Sequence, residues 1–242
     1  MTSRRITAVF FDVDFTLIYP GPTFQGDGYA GFCGRHGIHV DPARFHDAVI
    51  AASPLLHDEQ QLMYDEDIFV RYTRRIIEEM GGRGAAVDAC AREIYEEWAA
   101  CQHFFLYDDV TPALRRLAED GYRVGLISNS HRSLASFQQH FDLHGLIAAA
   151  ISSSEHGYLK PHPSIFEAAL KLVGVEAGES VMVGDSLKHD IEGARRVGMH
   201  GVLVRRAGFV SGHSGDVPGV PVVATLAELP DLLRKATKVT KS

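Results

Sequence analysis

Two aspartates interrupt an apolar run near the start of the chain, Asp12 and Asp14 in "VFFDVDFTL" (9–17). In a strand, residues two apart point to the same side. Two carboxylates side by side repel each other and are costly to bury. A chain that places both at the end of a core strand has a use for them, and sharing a cation is one such use. Further along, Ser128-Asn129 ends a second apolar strand, Gly184-Asp185 ends a later one with Asp190 five residues beyond, and Lys160-Pro161 precedes a helical run beginning near 163. Taken singly, each has an ordinary structural role as a cap, a turn or a solvated loop. In this order, at successive strand ends, they gather carboxylates, small polar groups and a lysine around one crevice, and the set reads as functional. Lys160 is also the first lysine of the chain; the preceding 159 residues use arginine for every long-chain cation. A site that needs a compact ammonium keeps lysine.

The elements that must position these residues fall into two regimes. Residues 5–18 and 105–236 alternate short apolar strands with amphipathic runs. "ITAVFFDVD", "YRVGLIS", "IAAAISS", "SVMVGD", "HGVLV" and "PVVA" read as strands; "DDVTPALRRLAEDG", "HRSLASFQQHF", "HPSIFEAALKLVG", "DIEGARRVG" and "LAELPDLLRK" read as helices. This alternation predicts an α/β fold, a doubly wound parallel sheet covered on both faces, with ligands at the carboxyl ends of the strands. Residues 20–104 carry almost no strand signal. "DPARFHDAVIAAS", "DEDIFVRYTRRIIEEMGG" and "AAVDACAREIYEEWAACQHFF" place apolar residues three and four apart, which predicts an all-helical insertion after the first strand. The domain division expected is therefore 1–19 with 105–242, and 20–104. Gly and Pro cluster at 20–28 and 81–84 as loops, "RRAGFVSGHSGDVPG" (205–219) reads as a polar loop near the ligand end, and the tail "TKVTKS" is expected to fray.

Bulk properties exclude more than they identify. A length of 242 residues fits one large domain or a core with a second small one. The net charge of −7 gives no basic footprint for nucleic acid or anionic membrane. No apolar run reaches membrane-spanning length, and "MTSRRITAVFFDVD" has no apolar stretch and cleavage site of the secretory kind. Cys33, Cys90 and Cys101 have neither metal spacing nor a disulfide pattern, so a reduced cytoplasm is the expected setting. Three other features have plain readings. Gly26–Gly31 matches G-x-G-x-x-G but follows no strand, and reads as a loop entering a helix. The thirteen histidines form no H-x-x-x-H pair, and His36 and His39 read as surface or packing residues. Arg71, Arg74 and Arg75 lie at helical spacing; a solvated face is the bland reading and substrate recognition the sharper one.

The motifs "DVDFT", "SN", "KP" and "GDSLKHD" resemble the four motifs of the haloacid dehalogenase (HAD) superfamily, and the likeness extends over nearly the whole chain, with 150–204 closest to phosphatase-type members. The resemblance implies a Rossmann-like core with the helical insertion as a C1-type cap, and a Mg²⁺-dependent phosphatase acting on a small phosphorylated metabolite. It implies Asp12 as nucleophile and metal ligand, and Asp14 as a ligand through its backbone carbonyl whose side chain serves as general acid and then base. Asp185 becomes the third metal ligand. Ser128, the backbone N–H of Asn129, and Lys160 bind the phosphoryl group, and Lys160 also neutralises the nucleophile. Thr16, Ser186 and Asp190 brace the site, Asp190 by orienting Lys160 or a metal-bound water. No nucleic acid, membrane or protein partner is implied. Phe15 departs from the family, many of whose members have glycine there, and is expected to shape the turn or a cap contact. Dehalogenases proper lack an acidic residue at the position of Asp14. Phosphonatases need a cap lysine, and 20–104 has none. A phosphomutase uses the same core residues and stays open. A receiver domain would be about half this length, and a silent scaffold would not need both Asp12 and Lys160. Sugar phosphates, nucleoside monophosphates, phosphoglycolate and damaged metabolites all remain open as substrates. Closure is expected to hinge near 18–22 and 102–107.

Overall fold

The structure is a computed structural model, and it describes residues 5–57, 62–206 and 218–238. The chain divides into two compact units, Met1–Tyr19 with Leu106–Ser242, and Pro20–Phe105.

The first unit is built on a six-stranded sheet. Its strands are β1 (Ala8–Phe11), β4 (Arg123–Ser128), β5 (Ala149–Ser152), β6 (Ser180–Gly184), β7 (His200–Val204) and β8 (Val222–Val223); β2 (Ile18–Pro20) and β3 (Phe104–Leu106) pair separately. The order is β5-β4-β1-β6-β7-β8, and every ladder is parallel. β1 is central and wholly buried, which is why "AVFF" is a continuous apolar run. Ala8 and Phe10 pack on one face with Ile165, Phe166 and Ala169 of a helix at Pro163–Val173, while Val9 and Phe11 are equally buried on the other. The chain fills the sheet on the β4–β5 side, then crosses to β6. The switch in direction therefore falls at β1, the place where a sheet of this order binds its ligands beyond the strand ends.

The helices here are α5 (Val110–Glu119), α6 (Leu134–His140), α7 (Ser153–His156), α8 (Pro163–Val173), α9 (Gly193–Arg196) and α10 (Leu229–Lys238). Two local readings change. The apolar run at 6–14 leaves the sheet at Phe11: Leu17 and Ile18 donate to the carbonyl of Val13, closing a turn in which Phe15 adopts φ +63°. Asp12 thus directly follows the strand, still tied to β6 by its N–H, and Asp14 stands on the turn beyond it. The expected helix "DIEGARRVG" opens as a π-helical turn, Leu187–Glu192, before α9. Turns of this wider kind are frequent at functional sites, and this one carries the buried Asp190.

The second unit contains α1 (Gly26–Arg35), α2 (Phe45–Ala52), α3 (Glu66–Glu79) and α4 (Val87–Glu97). α3 buries Val70, Thr73 and Ile77 at three- and four-residue spacing. One expectation is corrected: Gly26–Gly31 is the start of α1 and not a loop. A Cβ on Gly26 would sit 2.3 Å from the Pro42 carbonyl, and one on Gly28 2.1 Å from that of Thr23. These glycines serve close backbone packing, which leaves no phosphate cradle. Arg74 pairs with Glu78 and Asp88, Arg75 pairs with Glu79, and both arginines are exposed, a solvated face. His36 contacts Glu93, which Arg35 also pairs. Cys33, Cys90 and Cys101 are buried thiols. Most of the loop at 205–219 and the last four residues of the tail lie outside the described residues.

Candidate active site

Every strand that ends near the switch point delivers a polar residue. Asp12 follows β1, and its N–H still donates to the carbonyl of Val183 on β6 at 2.9 Å, so its position is set by the ladder. β4 ends in Ser128, β6 is followed by Asp185, and Lys160 lies between α7 and α8.

Lys160 is the centre of the arrangement. Its ammonium, 2% exposed, donates to Asp12 Oδ1 at 2.6 Å, Asp190 Oδ1 at 2.7 Å and the carbonyl of Ile127 at 2.8 Å. All three N–H bonds of the head are used, which an ammonium does and a planar guanidinium in the same space would not. Its backbone is held by the Asn129 amide, which donates to the Lys160 carbonyl at 3.0 Å and accepts from its N–H at 2.7 Å. The side chain of Asn129 is therefore a brace for Lys160. Asp190 accepts from Lys160 on one oxygen and from the Ser186 N–H, at 3.0 Å, on the other, while Ser186 Oγ caps the π turn by accepting from His189 N–H. Thr16 Oγ1 lies 3.1 Å from Asp12 Oδ2 and 3.4 Å from Asp185 Oδ1, and so bridges these two carboxylates.

Carboxylate oxygens of Asp12, Asp185 and Asp190 lie within 4.8 Å of one another. Burial raises the Asp12 carboxyl to about 7 against the pull of the Lys160 ammonium, and Asp190 adds to the rise. Burial, then Asp12 and Asp190, also lift Asp185 well above the ordinary range. Burial opposes the Lys160 charge, but Asp12 and Asp190 outweigh it and raise its pKa. One ammonium among three carboxylates leaves net negative charge in a buried place, and hard oxygen donors of this kind fit a divalent cation. Ser128 Oγ is fully buried and has no hydrogen-bond partner among the described residues. An orphaned hydroxyl beside a lysine is the donor an incoming oxyanion needs.

Asp14 has a partner of its own. Its two oxygens lie 2.9 and 3.1 Å from Nη1 of Arg132, whose side chain is fully buried. A second arginine that sequence reasoning missed, Arg206, donates to the Thr16 carbonyl at 3.2 and 2.7 Å and to Asp109 Oδ2 at 2.6 Å, and lies over the Tyr107 ring. Asp109 also accepts from Thr225 Oγ1 and the Leu226 N–H. Arg206 thus ties the end of β7 to the Asp12–Thr16 turn. Neither arginine has a sequence signal, since each follows a strand end at no fixed spacing. The sequence-derived residues Asp12, Thr16, Lys160, Asp185, Ser186 and Asp190 form one hydrogen-bonded cluster through their side chains or backbone.

Comparisons with known proteins agree with this geometry. The family model described as haloacid dehalogenase-like hydrolase matches residues 6–198. The human protein N-acylneuraminate-9-phosphatase is 31% identical over 97% of this chain and 96% of its own length. Glyceraldehyde 3-phosphate phosphatase of Methanopyrus kandleri is 34% identical over 54% of this chain and 58% of its own. Among solved structures, a HAD phosphatase from Thermococcus onnurineus covers 94% of this chain and 98% of its own with a TM-score of 0.64 at 24% identity. A magnesium-bound structure of the HAD-hydrolase YfnB from Bacillus subtilis covers 95% and 99% with a TM-score of 0.70 at 18% identity. These two likenesses speak to the fold alone. With the family model spanning most of its length and a relative at this identity matched end to end, the chain belongs to the haloacid dehalogenase-like hydrolases, as a phosphatase-type member.

Proposed function

We propose that this chain is a Mg²⁺-dependent phosphatase that hydrolyses a small phosphorylated metabolite through an aspartyl-phosphate on Asp12. The observation that carries the reading is the Lys160 ammonium clamped between Asp12 and Asp190, with the unpartnered Ser128 hydroxyl on the neighbouring strand end. The carboxylates of Asp12 and Asp185 and the backbone carbonyl of Asp14 would hold the cation, whose contribution is to balance their charge and that of the phosphoryl oxygens.

The remaining chemistry belongs to side chains. Ser128, the Asn129 N–H and Lys160 bind phosphoryl oxygens. An Asp12 oxygen attacks phosphorus, the bond to the ester oxygen breaks, and that oxygen takes its electron pair and a proton from Asp14. A water then attacks the phosphorus of the aspartyl-phosphate and yields its proton to Asp14, releasing phosphate and restoring Asp12. Thr16 holds Asp12 and Asp190 holds Lys160, so neither reacting group needs to search for its position. The helical unit, 20–105, acts as the cap that excludes water and selects substrate. Two relatives named as phosphatases of N-acylneuraminate 9-phosphate and glyceraldehyde 3-phosphate support a phosphate on a hydroxylated carbon skeleton as the substrate class.

The test is phosphate release from a panel of sugar, sugar-acid, triose and nucleoside phosphates with millimolar Mg²⁺. Expected are turnover of at least one sugar-type phosphate, loss of turnover on chelation, and loss of at least ~10³-fold in Asp12→Asn. An Asp12→Asn variant with wild-type rate would remove Asp12 as nucleophile, and conversion of substrate to an isomer without free phosphate would make the protein a mutase.

A further inference from the structure

We infer that Arg132 is the positioning residue of the acid–base carboxylate Asp14. The inference rests on the assignment of Asp14 as general acid and base. Arg132 follows the phosphate-binding pair Ser128-Asn129 on the same chain passage, and its N–H donates to Ser130 Oγ at 2.8 Å, which shapes the turn beyond β4. β1 and β4 are neighbours in register, Phe11 opposite Leu126, so the turns beyond them stand side by side. From one of these turns the Arg132 guanidinium reaches the other and holds both oxygens of Asp14 on Nη1.

The contact to Asp14 decides between roles. The Arg132 side chain is 0% exposed and that of Asp14 17%. The Arg132 Nη1 is committed to Asp14, donating to both of its oxygens, so the guanidinium addresses this carboxylate. Stability is not an adequate reason for it, because a buried ion pair of this kind is commonly matched or bettered by apolar packing. What the pair supplies is a fixed place for a carboxylate that stands on a turn. An acid or base displaced by about 1 Å loses on the order of 10²-fold in rate. Arg132 acts on the reaction through Asp14, and the same passage of chain that binds the phosphoryl group thereby sets the acid–base carboxylate.

Kinetics against a series of phosphate esters with good to poor leaving groups, from p-nitrophenyl to alkyl phosphate, test this. In Asp14→Asn, kcat/KM falls most for the poor leaving groups. Arg132→Met follows the same pattern, with a loss of roughly 10–100-fold on alkyl phosphate and only a few-fold on p-nitrophenyl phosphate. Arg132→Lys recovers part of the loss. The Asp14→Asn/Arg132→Met double variant is no slower than Asp14→Asn alone, because the two act as one unit. Should Arg132→Met not fold, Arg132→Lys carries the test, as its single-point ammonium still gives a leaving-group-dependent loss. Equal losses across the series in the Arg132 variants, or additive losses in the double variant, would overturn the inference while Asp14→Asn keeps its steep dependence. A flat Asp14→Asn series would instead overturn the acid–base assignment itself.

Discussion

Phe15 adopts the left-handed φ of +63°, a conformation that costs a bulky side chain about 1 kcal/mol or more and a glycine nothing. This accounts for glycine at the matching place in many members of the resembled family, and it makes the turn between Asp14 and Thr16 a strained one. Phe15→Val, β-branched at the same φ, is therefore expected to be less stable than Phe15→Gly by about 1–2 kcal/mol, read from urea unfolding midpoints. Lys160 makes the opposite case, a side chain matched to its surroundings. Arg cannot fit where three acceptors converge on one buried nitrogen, so Lys160→Arg is expected to lose roughly 10²-fold or more in kcat, no better than Lys160→Met. An arginine variant within tenfold of wild type would show that charge alone is what the site needs. The identities of Asp12, Lys160 and Asp185 were legible from spacing at strand ends. Arg132 and Arg206 were not, because their partners, Asp14 and Asp109, are 118 and 97 residues away in sequence.

At the scale of elements, glycines explain how the pieces approach one another. A Cβ on Gly184, at the end of β6, would fall 2.2 Å from Asp190 Oδ2. Gly184→Ala is expected to push Asp190 away from Lys160 and to lower kcat by at least roughly tenfold, with a smaller change in KM. In α1, Gly28 is blocked by the Thr23 carbonyl, whereas a Cβ on Gly31 meets nothing within 4 Å. Gly28→Ala is expected to destabilise by roughly 1–3 kcal/mol through overpacking. Gly31→Ala is expected to stabilise by about 0.5–1 kcal/mol through helix propensity. Thermal unfolding of both variants checks the contrast, and a stabilised Gly28→Ala would mean that α1 does not start against Thr23. Helix and strand types were readable from periodicity, but the start of α1 was not, since glycine signals loops and close contacts alike.

At the scale of the whole molecule, the buried carboxylates couple stability to pH and to cations. The folded-state pKa of Asp12 is raised to about 7, and that of Asp185 also stands above its ordinary value. Between about pH 4 and pH 7 the folded protein therefore binds more protons at these groups than the unfolded chain does. Their contribution favours folding at the acid end and is lost as pH rises through the folded pKa. A divalent cation held by these carboxylates would compete with those protons. Millimolar Mg²⁺ is expected to raise Tm by several degrees near pH 7.5 and by clearly less near pH 5. Equal shifts at both pH values, or none in wild type, would place the cation elsewhere or remove it. Asp12→Asn should diminish the difference between the two pH values.

The amino-acid sequence by itself determined the class of fold and the chemical inventory. Alternating apolar and amphipathic segments leave little but a covered parallel sheet, because each strand must bury both faces and each helix one. Carboxylates, a lysine and small polar residues at consecutive strand ends are costly in any arrangement but a shared site. The tertiary structure alone decided which of these groups meet. Asp12 and Asp14 share a motif but not a partner: one is held by Lys160 from the passage between α7 and α8, the other by Arg132 from beyond β4. The division follows from the end of β1 at Phe11 and the turn closed on the Val13 carbonyl, which carries Asp14 away from the strand end where Asp12 stands. Such pairings depend on distances across the sheet, which local spacing does not encode.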